Sequence, residues 1–189
     1  MDALEANGAN YFRQWVGHYR SICLTPGYDY VEKKHYYNEM NQKDSWEFDY
    51  ILEKARNSDE RINIMPCLFT FQHFENDPGQ NDYWGKGMNP YKDGSDTPGS
   101  LKDPYDFFSD DEAKKITKNH LRYIIARWGY ATNIVSWELF NEVDKLIKNE
   151  SKEDVVDWHK EMYDYIKLLD KNHLVSTSLY KRSSVTDHK

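Results

Sequence analysis

Cysteine, long apolar stretches and clusters of basic residues are scarce in this sequence of 189 residues. Its two cysteines, Cys23 and Cys67, allow at most one disulfide, and the apolar surroundings of Cys67 favour a free, buried thiol. No apolar run reaches the ~18 residues that a membrane helix requires, and no signal peptide is recognisable after Met1. A net charge of −7 argues against binding to nucleic acid. We therefore expect neither a membrane nor a nucleic acid as a partner, and the compartment stays open.

Motifs for metals, cofactors and acyl transfer are also missing. The seven histidines form no HExxH or similar pair, and no Gly-x-Ser-x-Gly elbow is present. Asp93, Asp96 and Asp103 share an acidic loop, but their spacing matches no EF-hand, so a solvated loop is favoured over a calcium site. We expect no metal site and no cofactor.

Apolar patterns that alternate between strand and helix are what the sequence does have. Strands are predicted at residues 11–16, 62–71, 134–140 and 174–178. Three helices between them are predicted to begin with capping residues, namely Asp44 with Glu47, Ser109 with Glu112, and Ser151 with Asp154. Residues 2–7 read as the tail of another helix. This alternation predicts an α/β fold with a parallel sheet, either an open doubly wound sheet or a barrel.

Two of the strand-to-helix connections are long, at residues 17–43 and 74–108. Long loops in compact domains are usually functional, and in a parallel sheet such loops share the face where barrel enzymes place their active sites. They contain over half of the 15 tyrosines, although local loop packing would explain any one of them equally well. Trp84, flanked by glycines and polar residues, is the best candidate to stack on a sugar ring.

The sharpest signal is the sequence Asn141-Glu142, where a hydrophobic strand ends and a polar loop begins. A carboxyl group at the C-terminal end of a barrel strand is in a catalytic position, and Asn141 can bond a substrate hydroxyl. Taken alone, a glutamate after a strand is more often a solvated loop residue.

Four segments, in the right order, resemble glycoside hydrolase family 5 and its relatives of the cellulase/mannanase-type clan. Residues 134–142 (IVSWELFNE) resemble the fourth strand of that barrel, and residues 8–13 resemble the second, with Arg13 below the active site. Residues 64–73 resemble the third strand, which ends in a sugar-contacting histidine, here His73. Residues 172–178 resemble the fifth. The resemblance implies a partial TIM (β/α)8 barrel, incomplete at both ends, with residues 1–189 as a single incomplete catalytic domain.

The same resemblance implies a function. The chain would be part of a retaining β-glycoside hydrolase acting on poly- or oligosaccharides, with Glu142 as general acid/base. Asn141, His73, Trp84 and Arg13 would contact the carbohydrate. The family's nucleophile stands on the seventh strand, which this chain lacks, so the chain alone should be inactive. For a longer parent protein the resemblance favours a secreted or periplasmic location.

Two alternatives remain beside this interpretation. One is a non-catalytic carbohydrate-binding half-barrel, and the other is an open-sheet α/β protein that acts on a different small molecule. Detectable hydrolysis of aryl glycosides would exclude the first alternative. The second requires helices on both faces of the sheet.

Glu138 precedes Glu142 by four residues and should lie deeper in the barrel. A buried charge needs a partner, so we expect Glu138 to pair with Arg13 rather than to serve as a nucleophile. Four strands cannot close a barrel. Self-association through the exposed strand edges is therefore expected, along with loss of cover for Phe69, Phe71 and Trp137.

Overall fold

The computed structural model describes residues 2–17, 22–29, 31–59, 61–75, 83–84, 86–147 and 152–181. The elements in chain order are α1 (Asp2–Glu5), β1 (Tyr11–Trp15), β2 (Gly27–Asp29), β3 (Lys34–Tyr36), α2 (Gln42–Arg56), β4 (Asn63–Thr70), β5 (Asp93–Gly94), β6 (Thr97–Pro98), α3 (Asp111–Trp128), β7 (Ser136–Asn141), α4 (Lys152–Leu169) and β8 (Leu174–Ser176). Short 3-10 helices cover Phe71–Phe74, Pro104–Phe108 and Val143–Leu146. All four predicted strands and all three predicted helices are present.

The main sheet contains β1, β4, β7 and β8, all parallel and in that spatial order. Each strand is added beside the previous one, and the order never reverses. Because parallel crossovers share one hand, α2, α3 and α4 then cover the same face of the sheet. A doubly wound sheet needs a reversal of strand order, so the open-sheet interpretation is wrong and the arrangement is that of a barrel wall.

The core between the sheet and its helices is unusually aromatic. The ring of Phe69 lies 5.8 Å from that of Phe140 and 6.0 Å from that of Trp158, measured between centroids. Phe69, Phe71 and Trp137 are all at most 8% exposed. The expectation that these three rings lose their cover is wrong, because helices and loops of this chain bury them.

The helix starts differ from the predicted capping residues. Asn41 caps α2 by accepting a hydrogen bond from the backbone N–H of Asp44, and Asp110 caps α3 through the N–H of Ala113. Asp44 instead accepts from the backbone N–H of Cys23 at 2.7 Å, which ties the first long loop to α2. Ser151, predicted to cap α4, lies outside the described residues.

The described parts of the two long loops contain strands that the sequence did not predict. Each contains a small antiparallel hairpin, β2–β3 in the first and β5–β6 in the second. Several loop tyrosines are buried, namely Tyr36, Tyr83 and Tyr91, whereas Tyr19 and Tyr30 lie outside the described residues. Cys23 and Cys67 are free and buried. Within the described part of the chain, no helix is both long and apolar enough to cross a membrane.

Candidate active site

An ion pair joins the first and third strands of the main sheet across β4. The guanidinium of Arg13 donates from Nε to Oε2 of Glu138 and from Nη2 to Oε1, the latter at 2.6 Å. The carboxylate belongs to a residue that is 1% exposed, and a two-point contact of this kind fixes its orientation. The predicted Arg13–Glu138 pair is confirmed.

Asn141 extends this network toward the end of β7. Its Oδ1 accepts a hydrogen bond from Nη2 of Arg13 at 2.8 Å, and Asn141 is itself buried. Burial, the largest single effect, lowers the pKa of Arg13, but the hydrogen bond and charge of Glu138 together with the contacts with Cys67 outweigh it and raise that pKa above its usual value. Arg13 therefore stays charged and sets the side-chain orientation of Asn141, one residue before Glu142. Arg13 thus bridges Glu138 and Asn141 below this edge of the sheet.

Glu142 follows β7 in a left-handed backbone conformation, with φ 53° and ψ 44°. Such a conformation costs a non-glycine residue on the order of 1–3 kcal/mol and occurs preferentially at functional sites. The surrounding turn holds it, because the backbone N–H of Glu142 donates to Oγ of Ser178 at 3.2 Å. The strand therefore ends at Asn141, and the partly exposed carboxyl of Glu142 stands at the C-terminal edge of the sheet.

Lys145 is the one charged neighbour of Glu142 that the described contacts show, and the sequence analysis missed it. Its Nζ lies 2.8 Å from Oε2 of Glu142, 3.9 Å from the ring centroid of Phe71 and 4.2 Å from that of Tyr180. Asp144 holds the Tyr180 segment by accepting the backbone N–H of Tyr180 at 2.6 Å. The three-residue spacing from Glu142 was the available signal, since a single turn brings such a pair together.

His73 lies at the same edge of the sheet, in the 3-10 helix that follows β4. The register pairs Thr70 with Asn141 at the ends of the adjacent strands β4 and β7. His73 and Glu142 therefore follow two neighbouring strand ends. The carbonyl of His73 accepts from Nδ2 of Asn89 at 2.7 Å, and its ring packs edge-on against Phe74 at 6.4 Å. The ring is largely buried within its loop.

Trp84 does not offer the open stacking face that the sequence suggests. Its side chain is 2% exposed and stacks on Phe74, with ring centroids 6.5 Å apart. Its carbonyl also accepts a hydrogen bond from Nζ of Lys92 at 2.7 Å. The flanking glycines and polar residues suggested exposure, but the loop folds back over the aromatic core. Trp84 is therefore a core residue of the second long loop.

Comparison with known proteins decides what kind of chain carries this site. The family model described as "GH family 5 beta-mannosidase-like" matches residues 80–188, more than half of the sequence. This chain belongs to glycoside hydrolase family 5.

Curated relatives of this family 5 chain extend the match to its first half. Mannan endo-1,4-beta-mannosidase 1 of Arabidopsis thaliana is 27% identical over 187 residues, covering 92% of this chain and 38% of the relative. Mannan endo-1,4-beta-mannosidase 7 of the same plant is 28% identical over 186 residues, covering 92% of this chain and 37% of the relative. The chain thus spans well under half the length of these relatives.

Solved structures of other glycosidases share the fold. A family 5 glycoside hydrolase from Bacteroides vulgatus superposes with a TM-score of 0.55 at 13% identity, covering all of this chain and 33% of that chain. Endo-glycoceramidase II from Rhodococcus, in a ganglioside GM3 complex, superposes with a TM-score of 0.57 at 16% identity, covering 94% and 44%. The predicted partial α/β barrel is confirmed, since the family 5 sheet and helices here match only part of each neighbour.

Proposed function

We propose that this chain carries the acid/base side of a retaining β-glycoside hydrolase active site, with Glu142 as the general acid/base. The observation that supports it is the sequence Asn141-Glu142 at the C-terminal end of β7, where the backbone turns sharply into the left-handed region. In a barrel this is the edge at which catalytic side chains stand. Family membership supports the reaction class, and the position of Glu142 at the end of β7 supports the choice of residue.

The proposed mechanism needs a proton donor beside the scissile oxygen. Glu142 would protonate the leaving-group oxygen and later remove a proton from the attacking water. Nζ of Lys145 lies 2.8 Å from Oε2 of Glu142, so it would contact the carboxylate that acts as the base in the second step. Before the first step, Glu142 has to be protonated and to contact the glycosidic oxygen in place of Lys145. Asn141, held by Arg13, would offer its side-chain amide to a sugar hydroxyl, and His73 would contact the sugar beside it.

The second carboxyl of the mechanism is proposed to come from outside this chain. In retaining enzymes the nucleophile stands roughly 5–5.5 Å from the acid/base. Glu138 is poorly suited, because both of its oxygens accept from Arg13 and it is buried at the level of Cys67 in the sheet. The nucleophile would then stand on a strand of a longer protein that completes the barrel.

We propose β-1,4-linked mannan-type polysaccharides as the substrate class. Relatives that cover 92% of this chain are mannan endo-1,4-beta-mannosidases. The alternative, a half-barrel that binds carbohydrate without cleaving it, agrees with the engagement of Glu138 by Arg13. Kinetics separate the two.

The decisive variant is Glu142→Gln in the protein that completes the barrel. Turnover of mannooligosaccharides should fall by at least ~10²-fold, the typical contribution of general acid catalysis, whereas an activated dinitrophenyl glycoside should lose much less in its first step. Glu153→Gln, an exposed carboxyl at the start of α4, is the matched control and should behave like the unaltered protein. Equal losses on both substrates would contradict the acid/base role.

A further inference from the structure

The outer face of α2 carries two exposed aromatic rings that no described contact covers. Trp46 is 64% exposed and Tyr50 is 53% exposed. Their ring centroids are 6.1 Å apart, and their planes differ by only 15°. By contrast, Trp84, Trp128 and Trp158 are buried at 2% exposure or less. Trp46 differs from these buried indoles in its exposure, and from single exposed tyrosines such as Tyr163 in its parallel neighbour, so the pair is a surface feature to explain.

The two rings lie on the side of α2 that neither the sheet nor a neighbouring helix uses. Phe48 and Leu52 face the core, and Asp49 faces α3 through its contact with Arg127 at 2.6 Å. Because each helical residue turns by about 100°, Trp46 and Tyr50 lie beyond Asp49, on the far side from the core. Completing the barrel would add elements at the sheet edges and would leave this outer face open.

The size of the patch argues for a small, flat ligand. Two aromatic side chains offer at most ~150–250 Å2 each, well below the ~800 Å2 that each partner buries in a standard protein interface. Charged, exposed residues such as Lys43 and Glu53 limit the apolar area on both sides and can bond hydroxyl groups. The axial C–H groups of a hexose ring suit the electron-rich faces of such rings.

We infer that Trp46 and Tyr50 form an accessory platform that binds a β-linked polysaccharide chain outside the active-site edge. Trp46 lies near the start of α2, and helices of a βα barrel start at the edge where the catalytic side chains stand. The platform therefore lies on the outer wall close to the rim that carries Glu142. A chain held there would be kept at high local concentration beside the cleft. The choice of mannan as the polymer rests on the proposed function.

The test is retention of the protein on insoluble mannan, which needs no turnover. Trp46→Ala and Tyr50→Ala should each weaken retention by roughly fivefold or more, the effect of losing about 1 kcal/mol of stacking. Tyr163→Ala, a comparably exposed helical tyrosine on α4, is the control and should be retained like the unaltered protein. Unchanged retention of the Trp46 and Tyr50 variants would overturn the platform.

Two further variants separate stacking from general stickiness and from self-association. Trp46→Tyr should keep most of the retention, whereas Trp46→Leu should lose it; equal retention of both would overturn stacking. Size-exclusion chromatography that shows Trp46→Ala dissociating an oligomer would assign the rings to a contact between copies and overturn the proposal. A protein whose Glu142→Gln variant turns over normally but still shows Trp46-dependent retention would refute the acid/base role and leave the platform standing.

Discussion

Arg13 connects the buried polar groups that lie below the candidate site. One guanidinium contacts the carboxylate of Glu138, the amide oxygen of Asn141 at 2.8 Å and the sulfur of Cys67 at 3.6 Å. Burial raises the pKa of Cys67, and the carboxylate of Glu138 raises it further, so the thiol stays neutral. A single cation therefore orients a neutral amide at the C-terminal edge of the sheet and balances a buried carboxylate beneath it.

Removing one member of this pair should cost much more than removing both. Glu138→Leu leaves Arg13 without its buried counter-ion, and we expect about 3 kcal/mol of destabilisation, the lower end of the usual range because Arg13 is partly exposed. The double variant Arg13→Met with Glu138→Leu should recover most of that loss. Urea unfolding measures both free energies. Glu112→Gln, which breaks only the exposed pair with Lys115, should leave the midpoint nearly unchanged; a similar loss there would point to a general charge effect.

Secondary-structure elements were predictable where a single physical signal dominated. The apolar run 62–71 predicts a strand buried on both faces, and β4 occupies Asn63–Thr70. The first residues of the helices were not predictable, because neighbouring side chains compete for the same cap: Ser109 and Asp110 both qualify, and Asp110 is the one that caps α3.

Contacts within the candidate site were predictable where the residue types themselves require a partner. The Arg13–Glu138 pair follows from two charges in apolar strands, since each needs a partner. The burial of Trp84 could not be predicted in this way, because it depends on how a long loop folds over Phe74. The three-residue spacing of Lys145 from Glu142 was a usable signal, but its contacts with Phe71 and Tyr180 depend on residues that become adjacent only in the folded chain.

Asp170, at the junction of α4 and β8, should make the free energy of unfolding depend on pH in the acid range. Burial alone would raise the pKa of Asp170, but hydrogen bonds from the indole of Trp137 and from the backbone and ring of His173 lower it to about 2. The unfolded value is about 3.9. The resulting stabilisation, about 2 kcal/mol, is complete above pH ~4 and is lost as the pH falls toward 2.

Thermal unfolding between pH 6 and pH 2 tests this junction. Asp170→Asn should be less stable at pH 6 and should lose less on acidification than the unaltered protein. Asp164→Asn, on the exposed face of α4, is the control and should follow the unaltered curve. Parallel curves for all three proteins would contradict the assigned role of Asp170.

At the scale of the whole molecule, the described strands of the main sheet do not close into a barrel. Among the described strands, β1 and β8 are the outermost, and their free N–H and C=O groups can pair with another chain. Leu174, the first residue of β8, is 71% exposed. The 189-residue chain on its own should therefore self-associate. It should also show no appreciable turnover of a β-glycoside, because the proposed nucleophile lies outside it.

Size-exclusion chromatography with light scattering should show a species larger than the 22.6 kDa monomer. Leu174→Lys should shift the distribution toward the monomer, because a charge on an edge strand opposes pairing. Leu168→Lys, at a helical leucine of similar exposure (73%), is the matched control and should shift it less. A monodisperse, cooperatively melting monomer that turns over a β-glycoside would refute this prediction.

The Arg13–Glu138 contact also sets an order of events during synthesis. The two residues are separated by 125 positions, and β4 has to be in place between their strands. At roughly 5–20 residues per second, a ribosome needs about 6 to 25 s to travel from one to the other. During that interval the nascent β1 has a hydrated cation and no counter-ion. The ion pair below Asn141 can therefore form only after most of the segment has been synthesised.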